Sequence, residues 1–201
     1  MLTQSEIKRQ MELGNIVISP LRETSLSGPN SCDIHLGNKL LVYKLEEPKR
    51  KPKLMDLFLR LFGKNPTQRE EEILDIRKKN PTKEIIIPEE GYVLQPGVLY
   101  LGETEEYTET YGFIPKIDGV SSAARLGLCI HITAGFGDIG YKGKWTLEIT
   151  VVHPLRIYPG SRIGQIYYDT PVGEIKDTYH GKYQGSTGVS ASKSFEDYKG
   201  E

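Results

Sequence analysis

Between residues 117 and 149 the chain reads IDGVSSAARLGLCIHITAGFGDIGYKGKWTLEI, a stretch dense in side chains that can do chemistry. Gly119-Val120-Ser121-Ser122 is a glycine-led turn with two hydroxyls and adjacent backbone N–H groups. Turns of that kind cradle phosphate oxygens. Arg125 follows within reach of the same place, and Asp138 sits in a glycine-flanked turn. Glu148 lies in a strand-like run between Leu147 and Ile149, whose side chains point to the opposite face. Such a carboxylate either faces solvent, which pattern alone favours, or faces a pocket that raises its pKa until it can carry protons.

Other chemistries lack their signatures. The sequence has no G-x-x-x-x-G-K-[ST] and no G-x-G-x-x-G for nucleotide binding, and no G-x-S-x-G elbow. The zinc-bound H-x-E…P-C-x-x-C arrangement is also missing. His35, His131, His153 and His180 have no i,i+4 pairing, and His131 reads as a packed strand histidine. Cys32 and Cys129 form neither a zinc spacing nor a disulfide framework, and read as buried reduced thiols. Carboxylates, hydroxyls and backbone amides are expected to do the work, without zinc.

The elements that must hold these groups are short and β-rich. The 201 residues are 37% apolar and 26% charged, with 21 glycines and 12 prolines, a composition that suits one globular domain with many turns. Residues 3–13 predict a helix: Thr3 and Glu6 form a capping box, Ile7, Met11 and Leu13 an apolar face, and Gly14 a stop. SCDIHLGNKLLVYKL reads as a strand pair with Ile34, Leu36, Leu40, Val42 and Leu45 inward. EIIIP, YVLQPGVLYLGET, YGFIPKIDG, LCIHITAGFGD, WTLEITVV, LRIYPG and RIGQIYYD read as further short strands. Their spacing points to a sandwich or barrel rather than βαβ units. Residues 46–72 break the pattern with a charged, proline-bearing run and an amphipathic helix, and read as an insertion. The tail from 180 to 201 is small, polar and glycine-rich, either disordered or a lid that orders over a ligand.

Net charge is −1, so no global field draws the chain to polymeric nucleic acid or to an anionic membrane. The polar N-terminus MLTQSEIKRQ is no signal peptide, and no apolar run approaches the ~18 residues a bilayer span requires. A cytoplasmic location is expected.

At these residues the sequence resembles the dCTP deaminases of the deoxyuridine triphosphatase superfamily. The family pattern runs close to GRSSLARLGL, a His-x-Thr-Ala run and IDPGxxGxxTLE; here it stands as GVSSAARLGL, HITAGFGDIG and YKGKWTLE. GPNSCDIHLG, YVLQPGVLYLGETEEY, YPGSRIGQ and GKYQGSTG match further blocks in family order, over nearly the whole chain except 46–72. The resemblance implies a mainly β, distorted barrel or jelly-roll domain, assembled as a homotrimer with active sites at subunit interfaces. It implies that Ser121, Ser122 and Arg125 meet the triphosphate and that Asp138 binds the deoxyribose 3′-hydroxyl. Thr146, Leu147 and Glu148 would face the cytosine, and Gln165, Tyr179 and Lys182 would complete the phosphate grip. Magnesium would arrive on the triphosphate. Glu148 would be the general acid–base, with Ser121, Arg125 and the backbone carbonyl of Ala134 orienting water or developing charge.

The activity implied is hydrolysis of dCTP to dUTP and ammonia. The alternatives are a bifunctional enzyme continuing to dUMP and pyrophosphate, with Asp138 activating a second water, and a divergent non-catalytic nucleotide binder. Departures motivate the last. Val120 stands where the family usually has a cation, Gly137 where an Ile precedes the aspartate, Ile139 where a Pro or Ala follows it, and Ser186 where a glutamine is common.

Overall fold

Every second residue of Lys142–Val151 is buried, as in a strand with one face on the core and the other off it. The computed structural model describes residues 1–26, 28–45 and 73–200. The expected 46–72 insertion and its amphipathic helix lie outside the described residues. Two compact units are distinguished: Met1–Val42 with Glu84–Ala191, and Tyr43–Lys83 with Ser192–Glu201.

The first unit is built on antiparallel strands. In chain order they are β1 (Ile16–Ser19), β2 (Cys32–Tyr43), β3 (Thr82–Ile86), β4 (Tyr92–Leu94), β5 (Tyr100–Thr110), β6 (Ile114–Gly119), β7 (Leu128–Cys129), β8 (Lys142–Val151), β9 (Leu155–Ile157) and β10 (Arg162–Asp169). The main sheet runs β6-β10-β2-β5-β8-β7, with β1 on β5 and β3 on β2, and β4 pairs β9 separately. The loop after β7 returns to the opposite edge, where Phe136 bridges Lys116 of β6, so the sheet is nearly closed like a barrel. The expected mainly β fold is observed.

Its interior is lined by Ile34, Leu36, Leu40, Leu147, Ile149 and Ile166, all fully buried. Each such side chain contributes ~1.5–3 kcal/mol on leaving water. A buried hydrogen-bonded pair, His35 and Glu106, interrupts this apolar lining. The His35 ring lies 2.6 Å from a Glu106 oxygen, and the other oxygen accepts the His35 backbone N–H at 2.9 Å. Glu106 stands where β5 stops pairing with β2 at Thr104 and begins pairing with β1 at Tyr107, so its carboxylate replaces the missing ladder bond.

Several sequence expectations change here. The predicted strand pair SCDIHLGNKLLVYKL is one twelve-residue strand with a register shift between Leu36 and Leu40, and Leu45 is exposed. LCIHITAGFGD yields only the two-residue β7; its glycines serve close loop packing instead. Helix α1 (Gln4–Glu12) starts at Thr3, whose hydroxyl accepts the Glu6 N–H, while the Glu6 carboxylate turns to Gln10 and Arg9. Leu13 is exposed rather than packed, and so is Cys129. Cys32 is buried as expected, its thiol pushed up to about 12 by desolvation.

In the second unit Ser194–Tyr198 forms a 3₁₀ turn. Ser194 donates to the Ile76 carbonyl, and the Arg77 guanidinium lies over the Tyr198 ring.

Candidate active site

Strand alternation decides where Glu148 goes. Trp145, Leu147, Ile149 and Val151 enter the core, which leaves Thr146, Glu148 and Thr150 on the other face. Glu148 is part-buried there. Burial pushes its carboxyl above the ordinary range, while the His131 imidazole and its own backbone N–H pull it partly back. A raised carboxyl pKa is what a proton carrier near neutrality needs. Leu147 is fully buried, so its side chain is not available to a ligand on this face.

The same stretch of β8 also offers main-chain groups. The Lys144 N–H reaches outward to the Ser186 carbonyl at 2.8 Å, and alternate residues repeat that direction, so Thr146 and Glu148 present their N–H and C=O groups along the same edge. Strand β7 covers this edge only at Thr150 and Val151. A planar ring with donors and acceptors on one side can dock there much as a neighbouring strand would.

His131 occupies a position that sequence reading did not assign to it. Its Nε2 is 3.6 Å from Asp118, and its Nδ1 is buried with no hydrogen-bond partner among the described residues. Gly135 packs on the ring; a Cβ at that position would meet Nε2 at 2.7 Å. The HITAG run carried this signal, because the glycine is what lets the loop close over the imidazole.

Beyond Asp118, β10 brings in Gln165, opposite Asp118 in register. The Gln165 amide donates to Asp33 Oδ1 at 3.2 Å, and Arg162 donates to Asp33 Oδ2 at 3.0 Å. The Ser-Ser turn forms a short helix, α2 (Ser121–Ala124), with Val120 at its N-cap and Arg125 at its C-cap. Ser121, Ser122 and Arg125 are exposed, as is Ala134 in the loop after β7.

Asp138 lies exposed in a turn that an aromatic stack supports. The Tyr141 ring sits edge-on to Trp145 at 5.1 Å and to Tyr179 at 5.8 Å. Tyr179 donates its N–H to the Ile139 carbonyl, and Gln184 links Gly140 to Lys142 through its side-chain amide. Tyr179 is thereby tied to the Asp138 turn, with Lys182 part-buried nearby in sequence. Gln184 was not singled out in the sequence. The tail then follows β8: Ser186 bridges Gly143, the Val189 N–H meets Glu103 at 2.8 Å, and the Ser190 N–H meets the Thr146 hydroxyl at 3.1 Å.

Two other features draw on residues other than those expected at the site. A groove between Lys39, Glu84, Glu103 and Thr187–Val189 includes none of the expected site residues. His35, Glu105 and Glu106 come close enough to hold a cation, but Glu106 is taken up by His35 and Glu105 by Arg22.

The family profile described as dCTP deaminase-like matches residues 1–170. The chain belongs to that family. A Clostridium acetobutylicum protein named dCTP deaminase, dUMP-forming, is 45% identical over 184 residues, or 92% of this chain and 91% of the relative. A Hathewaya histolytica protein of the same name is 44% identical over 198 residues, covering 98% and 99%. The crystal structure of 2′-deoxycytidine 5′-triphosphate deaminase from Agrobacterium tumefaciens superposes with a TM-score of 0.54 at 22% identity. That match covers 83% of this chain but 47% of the Agrobacterium chain, and it supports the fold.

The family setting gives the Gly137 departure a physical reason. A Cβ there would run into the Trp145 ring and lie 3.0 Å from Pro115 Cγ. Trp145 fills the space that a larger residue at 137 would need. Nothing in the structure explains Ile139.

Proposed function

We propose that this member of the dCTP deaminase-like family hydrolyses dCTP at C4 with release of ammonia, and carries the product on to dUMP and pyrophosphate. The observation that carries the first half is the part-buried Glu148, with its raised pKa, on a stretch of strand edge that β7 does not pair. The second half is favoured over a reaction stopping at dUTP by relatives named dUMP-forming at 45% and 44% identity.

In this reading the cytosine lies against the β8 edge at Thr146–Glu148. The Glu148 carboxylate takes a proton from water as the oxygen attacks C4 and delivers it to N3. The Glu148 carboxylate then takes the hydroxyl proton of the tetrahedral adduct and passes it to the 4-amino nitrogen, so that the C4–N bond breaks, C4=O forms and ammonia leaves. Ser121, Arg125 and the Ala134 carbonyl orient the water and the developing charge. Asp138 binds the 3′-hydroxyl and serves the second step, in which another water attacks the α-phosphorus and pyrophosphate departs. Ser122, Gln165, Tyr179 and Lys182 hold the phosphates, and magnesium enters on the triphosphate as part of the substrate.

A homotrimer with shared sites and a cytoplasmic location belong to the same proposal, as does a single β domain carrying 46–72 as an insertion and the tail as a lid. Leu126, Ile132, Phe136 and Val152, apolar and each at least 60% exposed around α2 and the loop after β7, support packing between copies. No described helix is long and apolar enough to cross a membrane.

Product analysis on dCTP tests the reading: ammonia, dUMP and pyrophosphate are expected in equal amounts. Ammonia with dUTP accumulating would leave only the deaminase half. Tight dCTP binding with no ammonia would make the protein a binder.

A further inference from the structure

Val120 caps α2 with its side chain buried, so this position presents no cation to a ligand. Its N–H lies 3.5 Å from the Ile163 carbonyl, where Gly119 of β6 stands opposite Gly164 of β10. Arg162 is the next residue along β10, which sets it beside the start of α2. A register shift between Arg162 and Gly164 breaks the strand alternation, so Arg162 and Gln165 turn to the same carboxylate, that of Asp33. The Asp33 side chain is 9% exposed and that of Arg162 49%.

We propose that Arg162 supplies a cationic contact to the phosphate chain of the nucleotide, in place of the charge absent at position 120, and that Asp33 is its positioning residue. This rests on the nucleotide reading above. A guanidinium carries five N–H donors in one plane, so the edge held by Asp33 leaves other donors on the exposed side. The Gln165 amide has two N–H groups and gives one to Asp33, leaving the second for the same ligand. One buried carboxylate thus orders both groups before the ligand arrives, which lowers the ordering cost at binding. The Arg162 charge offsets that of Asp33, which would otherwise repel an anion.

The test uses the full chain and compares Kd for dCTP and dCMP by calorimetry, alongside ammonia release and melting temperature. For Arg162→Gln, Kd for dCTP is expected to rise about 10- to 100-fold and Kd for dCMP much less, which flattens the dependence on phosphate number. The loss should appear in Kd rather than in kcat, and Arg162→Lys should recover only part of it. Arg162→Gln leaves the buried Asp33 without its cationic partner, so the Asp33→Asn/Arg162→Gln double variant, which keeps polar groups and removes both charges, is measured beside it. The same flattening is expected there. A wild-type ratio of dCMP to dCTP affinities in a folded double variant would overturn the proposal. If wild type binds dCTP without releasing ammonia, the deaminase reading fails, while the Kd ratios still judge Arg162. No binding of dCTP at all overturns both.

Discussion

Gly137 and Trp145 occupy space that only one large side chain can fill. A Cβ on Gly137 would collide with the indole, which is itself fixed by its N–H to the Thr108 hydroxyl at 3.0 Å. The pair lies directly beneath the Asp138 turn, so the packing of a core tryptophan and the placement of a candidate site residue are one problem.

Gly137→Ile is therefore expected to destabilise the fold by ~1–3 kcal/mol through overpacking. Thermal melting of the single variant and of Gly137→Ile/Trp145→Leu checks this. The double variant should recover part of the loss, and simple additivity of the two changes would show that the residues do not share the space.

Glu148→Gln should lower ammonia release from dCTP by ~10²–10⁴-fold while leaving dCTP binding measurable. It should also change stability in a pH-dependent way. The folded-state pKa of Glu148 lies above its unfolded value, so its ionisation opposes folding. That penalty is absent below the ordinary glutamate range near pH ~4 and grows as pH rises through the folded pKa. The variant should thus melt higher than wild type at neutral pH, with the difference closing in acid. A constant difference across that range would contradict the assigned shift.

His131→Asn removes the imidazole whose electrostatic influence holds the Glu148 pKa down. The acidic limb of kcat/KM, if set by Glu148, should move to higher pH. A pH–rate profile decides it, because loss of packing alone would lower the whole curve without sliding that limb.

Asp138→Asn should separate the two proposed half-reactions. Ammonia release should persist, and dUMP formation should fall ~10²-fold or more as general-base help is lost. Chromatography should then show dUTP accumulating. Equal losses in both products would assign Asp138 to binding alone.

The sequence on its own determined much of this protein. Strict alternation in WTLEITVV placed Glu148 off the core side, since successive strand side chains must oppose each other. The spacing of turns announced an antiparallel β fold, and the motif blocks in family order pointed to the family. Other features required the tertiary structure. Nothing local links Glu148 to His131, Asp33 to Arg162, or Ser190 to Thr146, because those contacts join distant segments through sheet register and loop closure. Sequence alternation leaves a carboxylate with two possible surroundings. Only the packing of neighbouring strands and loops sets its desolvation and its nearby charges, and those decide whether it can carry a proton near neutral pH.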